Sequence, residues 1–140
     1  MTDKQNDDWI DSLARLPLDR KLKAINERIL NDTNVFLRRS CTDGIKATEE
    51  TGNKVYGESK PTFAVNETPL VMDNMTPNNK VVALTQLLNT NNIEDIIIYR
   101  GTDKSTLALF GTNGRHGVII MKLTNKKYIS KFKQLKLTSN

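Results

Sequence analysis

Apolar residues fall at helical steps in the first third of this chain and cluster at strand-like density in its last half. Trp9, Ile10, Leu13 and Leu16 share one helical face, with Asp7 and Asp8 at the front, where carboxylates favour the positive end of a helix. Pro17 breaks that helix and starts another, since its ring is best tolerated in a first turn. Leu18, Leu22, Ile25 and Ile29 then form one narrow apolar stripe on a charged helix, which Val35, Phe36 and Leu37 extend. Such a stripe packs either on its own domain or on another chain. Residues 40–60 are polar, carry Gly44, Gly52 and Gly57, and predict a linker.

From Pro61 the pattern changes. Thr62 to Val65 and Leu70 to Met72 predict two short strands joined at Asn66-Glu67, although Gly is the usual second residue of such a turn. Asn78 or Asn79 can cap a helix carrying Val81, Leu84, Leu87 and Leu88, which the Asn-rich run Asn89 to Asn92 ends. Ile93 to Tyr99 predicts a central strand covered on both faces, because Ile96, Ile97 and Ile98 are consecutive. Gly101 turns the chain and Thr102 can cap a short helix with Leu107, Ala108 and Phe110 buried, closed by Gly111. Gly117 to Leu123 predicts a second central strand. Lys126 to Leu137 alternates basic and apolar residues, with Tyr128, Ile129, Phe132 and Leu135 near helical spacing, and leaves helix and strand open.

The predicted order is therefore β-β-α-β-α-β after two helices. The expected class is α+β, a small mixed sheet preceded by a helical arm. The boundaries drawn from the pattern are 1–39 for the arm, 40–60 for the linker, 61–127 for the α+β domain and 128–140 for a basic tail.

Charge adds an asymmetry. The net charge is +5, yet residues 1–60 balance at eleven Lys/Arg and eleven Asp/Glu. Residues 101–140 hold eight basic residues against Asp103 alone. Lys126, Lys127, Lys131, Lys133 and Lys136, with Lys122, make this end electropositive and able to face an acidic partner, an anionic membrane or nucleic acid. Lysine without arginine gives phosphate affinity without base reading, so a solvated, solubilising tail is the default reading, a docking surface for an acidic partner comes next and nucleic acid last. Aromatics are 6% of the chain, too few for a stacking platform.

Candidate chemistry is thin. Cys41 is the only cysteine and His116 the only histidine, which excludes an internal disulfide and any zinc site of Cys and His alone. No neighbour of either forms an evident triad. Glu94 and Asp95 adjoin on a strand and point to opposite faces. Gly111, Gly114 and Gly117 follow a helix and precede a strand, the wrong polarity for a phosphate cradle, so they and Gly101 are expected as chain-reversing joints. The expectation is no catalytic residue, no metal, no cofactor and no small-molecule substrate. The first thirty residues lack the apolar segment of a signal peptide, and no run approaches the roughly 18 apolar residues of a membrane-spanning helix. As written, a cytosolic or virion setting is expected.

With the segments in place, residues 61 to about 127 resemble the plug domain of TonB-dependent outer-membrane receptors of the Bacteroidota type. Pro61-Thr-Phe-Ala-Val-Asn-Glu-Thr-Pro-Leu70 is similar to that family's Pro-Leu-Phe-Val-Val-Asn-Gly-Val-Pro-Leu hairpin, with Glu67 in place of its turn Gly. Asn89-Thr-Asn-Asn-Ile-Glu-Asp-Ile-Ile-Ile-Tyr-Arg-Gly101 is similar to its Asn-Pro-x-Asp-Ile-Glu-Ser-Ile-Glu-Val-Leu-Lys-Gly. Thr102 to Ile119 keeps Thr106, the apolar pair Leu109-Phe110, and Gly111, Gly114 and Gly117 at the family's spacing. The resemblance implies a plug-like fold, no catalytic residues, and a periplasmic or outer-membrane setting if a signal was removed. In that family the plug fills a large β-barrel, for which these residues leave no room. The expectation is a stand-alone plug-like domain docking in a larger assembly, such as an outer-membrane pore or secretion complex. A phage virion or tail component and a basic nucleic-acid-binding module are the alternatives. The expected docking residues are Trp9, Leu13, Leu18, Leu22, Ile25 and Ile29 on the arm, and the five lysines of the basic end.

Overall fold

A computed structural model describes residues 2–32, 59–72 and 76–138. The expected linker up to residue 58, Cys41 and the extension at Val35 to Leu37 lie outside these residues. Among those described, five α-helices surround a four-stranded sheet, an α+β arrangement with its helices leading.

Helix α1 (Asp3–Ala14) starts a turn earlier than the apolar pattern suggests. Thr2 Oγ1 accepts the Gln5 N–H at 3.1 Å and Gln5 Oε1 accepts the Thr2 N–H at 2.8 Å, a reciprocal capping box. The helix closes where Arg15 and Leu16 N–H groups reach Ser12 and Leu13 carbonyls. Pro17, which has no N–H to lose, offers its carbonyl to Lys21 N and starts helix α2 (Leu18–Asp32).

Strand β1 (Thr62–Val65) turns at Asn66-Glu67 into β2 (Thr68–Pro69), so the second strand falls before the expected Leu70 to Met72. Asn66 takes the positive φ, 56°, that the turn requires. Leu70 instead makes an isolated antiparallel bridge to Thr138. Helix α3 (Asn78–Leu87) is preceded by Pro77 at the cap position, without the expected side-chain cap from Asn78 or Asn79. Strand β3 (Ile93–Tyr99), helix α4 (Lys104–Phe110), a 3₁₀ turn (Gly111–Gly114) and β4 (Val118–Leu123) follow. Asp103, not Thr102, holds the cap position of α4. Helix α5 (Lys126–Gln134) resolves the ambiguous C-terminal pattern, with Asn125 capping through a 2.9 Å bond from Lys127 N–H.

The sheet order is β2-β1-β4-β3, with β1 parallel to β4 and β4 antiparallel to β3. Strand β4 is central, as expected. Strand β3 is not: it pairs with β4 on one side only and lies at the edge of the sheet.

One hydrophobic cluster gathers Leu13, Leu22, Ile25 and Ile29 from the leading helices with Val81, Leu84 and Leu88 of α3 and its C-terminus. Phe63, Val65, Ile119, Met121 and Leu123 from one sheet face join it, as do Phe132 and Leu137 from the C-terminal end. Two expectations are corrected by this. The leading helices are no separate arm, and residues 128–138 of the expected basic tail pack into the core as well. Both supply side chains to the same core as residues 61–127.

Candidate docking surface

The arm's partner-facing residues are inside. Leu13, Leu22, Ile25 and Ile29 are 0–2% exposed, and Leu18 and Trp9 are half-buried against the same cluster. Trp9 also receives the Arg28 guanidinium over its ring at 4.6 Å. A stripe already covered by its own chain is not available to another, so these six residues are withdrawn as a docking surface.

The basic end remains. Phe132 at 6% exposure anchors the inner side of α5, and Leu137 at 3% holds the segment that follows it. That fixes which side faces outward; Lys126, Lys127, Lys131 and Lys133 are exposed on it, and Lys136 is exposed just past the helix end. Lys127 and Lys131 ammonium groups lie 5.9 Å and 5.4 Å from the Tyr128 ring centre. No Asp or Glu stands between Asp103 and Asn140. Among the described residues none of these five lysines makes an ion pair. Lys131 and Lys133 sit in the last turn, where the helix dipole favours them, while Lys126 and Lys127 crowd the opposite end, where it does not. The face is thus a concentration of uncompensated charge. An open cleft of about 620 Å³ runs beside it, lined by Gln86, Asn91, Tyr128, Lys131, Gln134 and Leu135 among others. Asn89 and Asn92, also on its wall, spend their amides on Gln86 and Leu87 carbonyls.

The glycines sit at backbone joints. At Gly101 an added Cβ would lie 2.6 Å from the Arg115 carbonyl carbon and 3.0 Å from Gly117 N. Gly117 has φ 96°, and a Cβ there would come 2.5 Å from Ile10 Cδ1. These two let the β3 exit, the β4 entry and α1 meet. Gly111, at φ 60°, ends α4, and Gly114 packs under Thr106. Helix α4 itself departs from expectation. Thr106 is its buried residue, Phe110 meets Tyr99 edge-on at 5.3 Å, and Leu107, Ala108 and Leu109 face outward, Leu107 and Leu109 at 50% and 63% exposure.

His116 lies near Asp3, with Nδ1 3.7 Å from Oδ1, and Ser59 Oγ donates to the same carboxylate oxygen. A hydrolytic triad needs the imidazole between hydroxyl and carboxylate. Here the carboxylate stands in the middle, so the imidazole has no access to the Ser59 proton. Burial lowers the His116 pKa, as does Arg115, while Asp3 and Asp7 partly oppose them. Beside it, Asn6 is fully buried, donating to His116 O at 2.8 Å and accepting from Arg28 Nη2 at 2.8 Å. This polar node ties α1 to α2 and to the β4 entry. It was not foreseen, because an Asn among aspartates carries no sequence signal of burial.

Among the described residues there is no group of three or more His, Cys, Asp or Glu placed to hold a metal ion, and no helix is long and apolar enough to cross a membrane. No family model, curated protein or solved structure matches this chain.

Proposed function

We propose that this chain is a non-enzymatic docking subunit of a larger protein assembly, and that the lysine face of α5 is its seat for an acidic partner. The observation that carries the reading is four exposed lysines on α5 and a fifth, Lys136, just past its end, none of them in an ion pair among the described residues. Such a face raises the local concentration of an acidic partner and speeds its association. Its counterpart is a protein rather than a single-stranded nucleic acid. Tyr128 is the one aromatic there, two ammonium groups already flank it, and strand-binding surfaces stack successive bases on several rings. The plug resemblance of residues 61–127 favours an outer-membrane pore or secretion complex as the assembly, with a phage virion as the second setting.

The test is affinity capture with the full chain and with a Lys126→Glu, Lys131→Glu, Lys133→Glu variant, after nuclease treatment. The expected result is an acidic protein retained by the native chain, released by moderate salt and lost by the variant, while both melt alike. Partners retained equally by the variant, or captured material that disappears with nuclease, would overturn it.

A further inference from the structure

We infer that the cleft between α3 and α5 seats an extended peptide segment of the acidic partner, with its carboxylates at the Tyr128 end and an apolar side chain beside Leu135. This rests on the reading of the lysine face above and gives that face its selectivity. Two stripes make the cleft. Ala83, Gln86 and Leu87 stand three or four positions apart on α3, and Tyr128, Lys131 and Leu135 do the same along α5 and its C-cap. Each set therefore shares one side of its helix. From Tyr128 to Leu135 is about 10 Å of helix, a length that an extended chain covers in about three or four residues. The cleft lies open beside the lysines, whereas sites for small molecules enclose most of their ligand. A chain passing along it suits that shape.

The lining says what kind of chain. Leu87, nearly buried, and half-buried Leu135 and Tyr128 supply apolar surface. The side-chain amides of Gln86, Asn91 and Gln134 are exposed and make no hydrogen bond among the described residues. Each offers a donor and an acceptor, the same pair that a peptide unit presents, so each can take one unit of an extended chain. Asn89, by contrast, spends both ends of its amide on its own chain. It donates to the Gln86 carbonyl and accepts the Asn91 N–H, which fixes the turn that carries Asn91. Charge selects among peptides. Lys131 lies on the wall and no carboxylate does. The Lys131 and Lys127 ammonium groups both stand within 5.9 Å of the Tyr128 ring centre, so positive charge gathers at that end. A basic segment is repelled there, and an acidic one is drawn in with its carboxylates towards Tyr128. The apolar surface at Leu87 and Leu135 is left for a neighbouring side chain of the same segment.

The experiment is an NMR titration of the full, isotope-labelled chain with capped tetrapeptides, up to about 10 mM. Glu-Asp-Leu-Leu should move the side-chain amide signals of Gln86, Asn91 and Gln134 together and saturably. Glu-Asp-Ser-Ser should bind about tenfold more weakly, having nothing to bury against Leu87 and Leu135. Lys131→Glu and Gln134→Glu alter exposed positions, so both should melt like the native chain. Each puts a carboxylate on the wall and should weaken Glu-Asp-Leu-Leu about tenfold. Lys104→Glu makes the charge change of Lys131→Glu on α4, off the cleft, and should weaken it less than about threefold. No saturable shift with Glu-Asp-Leu-Leu, equal binding of the two peptides, or equal effects of Lys131→Glu and Lys104→Glu would each overturn the proposal. Affinity capture separates it from the reading on which it rests. An acidic protein retained undiminished by Gln134→Glu but lost by the triple lysine variant would overturn the cleft and leave the lysine face standing.

Discussion

Asn66 shows how much one residue can settle. It adopts φ 56°, and its side chain then acts as a strand residue would. Oδ1 accepts the Leu123 N–H at 2.9 Å and Nδ2 donates to the Leu123 carbonyl at 3.1 Å. The amide so extends the β1–β4 ladder one residue beyond the backbone. The sequence points to a turn here, but its partner lies 57 residues away, so no local pattern could reveal the second role. Asn66→Gly keeps the turn and removes both bonds, and should cost about 1–3 kcal/mol in urea denaturation. Asn66→Ala should cost more, because alanine also resists the positive φ. His116 gives a pH dependence with a definite sign. Burial, then Arg115, lowers its folded pKa below the ordinary 6.5, so the unfolded chain binds the proton more tightly. Its contribution to stability is present above 6.5 and is lost as pH falls through that value towards the folded pKa. Thermal midpoints on both sides of this window should therefore drop on acidification, and His116→Gln should flatten the drop.

At the scale of elements, the helical periodicity of Leu18, Leu22, Ile25 and Ile29 specified α2 but not its receiver. A stripe states that something apolar covers it; it does not say whose. Here α3 and the sheet supply the cover. Leu22→Asp with Ile25→Asp would bury two unpaired carboxylates, at several kcal/mol each, against a total stability of about 5–15 kcal/mol. The variant should lose its cooperative urea transition and its helical circular dichroism. A folded double variant would return these residues to the candidate docking surfaces. Strand β3 shows the same limit in another direction. Consecutive isoleucines report cover above and below a strand, not the presence of a neighbour beside it, and so an edge strand was expected at the centre. Helix α4, at seven residues, is too short for its period to fix a face. For α5 the lysines alternate with apolar residues in a way that fits both structures, and the Asn125 cap tips it to helix.

At the scale of the whole molecule, the element order from residue 61 was legible, and the division into arm, domain and tail was not. Composition changes at residue 61, but the core does not. The sheet face formed by Phe63, Val65, Ile119, Met121 and Leu123 is covered in part by Ile25, Ile29 and Leu22, so residues 61–127 lack a complete core of their own. A chain of this length has little apolar surface to spare, and exposing one side of the sheet removes the largest favourable contribution to folding. The fragment 59–140 should accordingly give a poorly dispersed NMR spectrum and a non-cooperative melt. Adding a peptide of residues 1–32 should restore dispersion, since it returns the Leu13, Leu22, Ile25 and Ile29 side chains together with the Asn6–Arg28 node. A fragment that melts cooperatively by itself would mean that residues 59–140 form a complete domain and that α1 and α2 are additions to it. The two outcomes also bear on docking. If the helices are needed for the core, partner recognition is left to the surfaces outside it, above all the lysine face of α5.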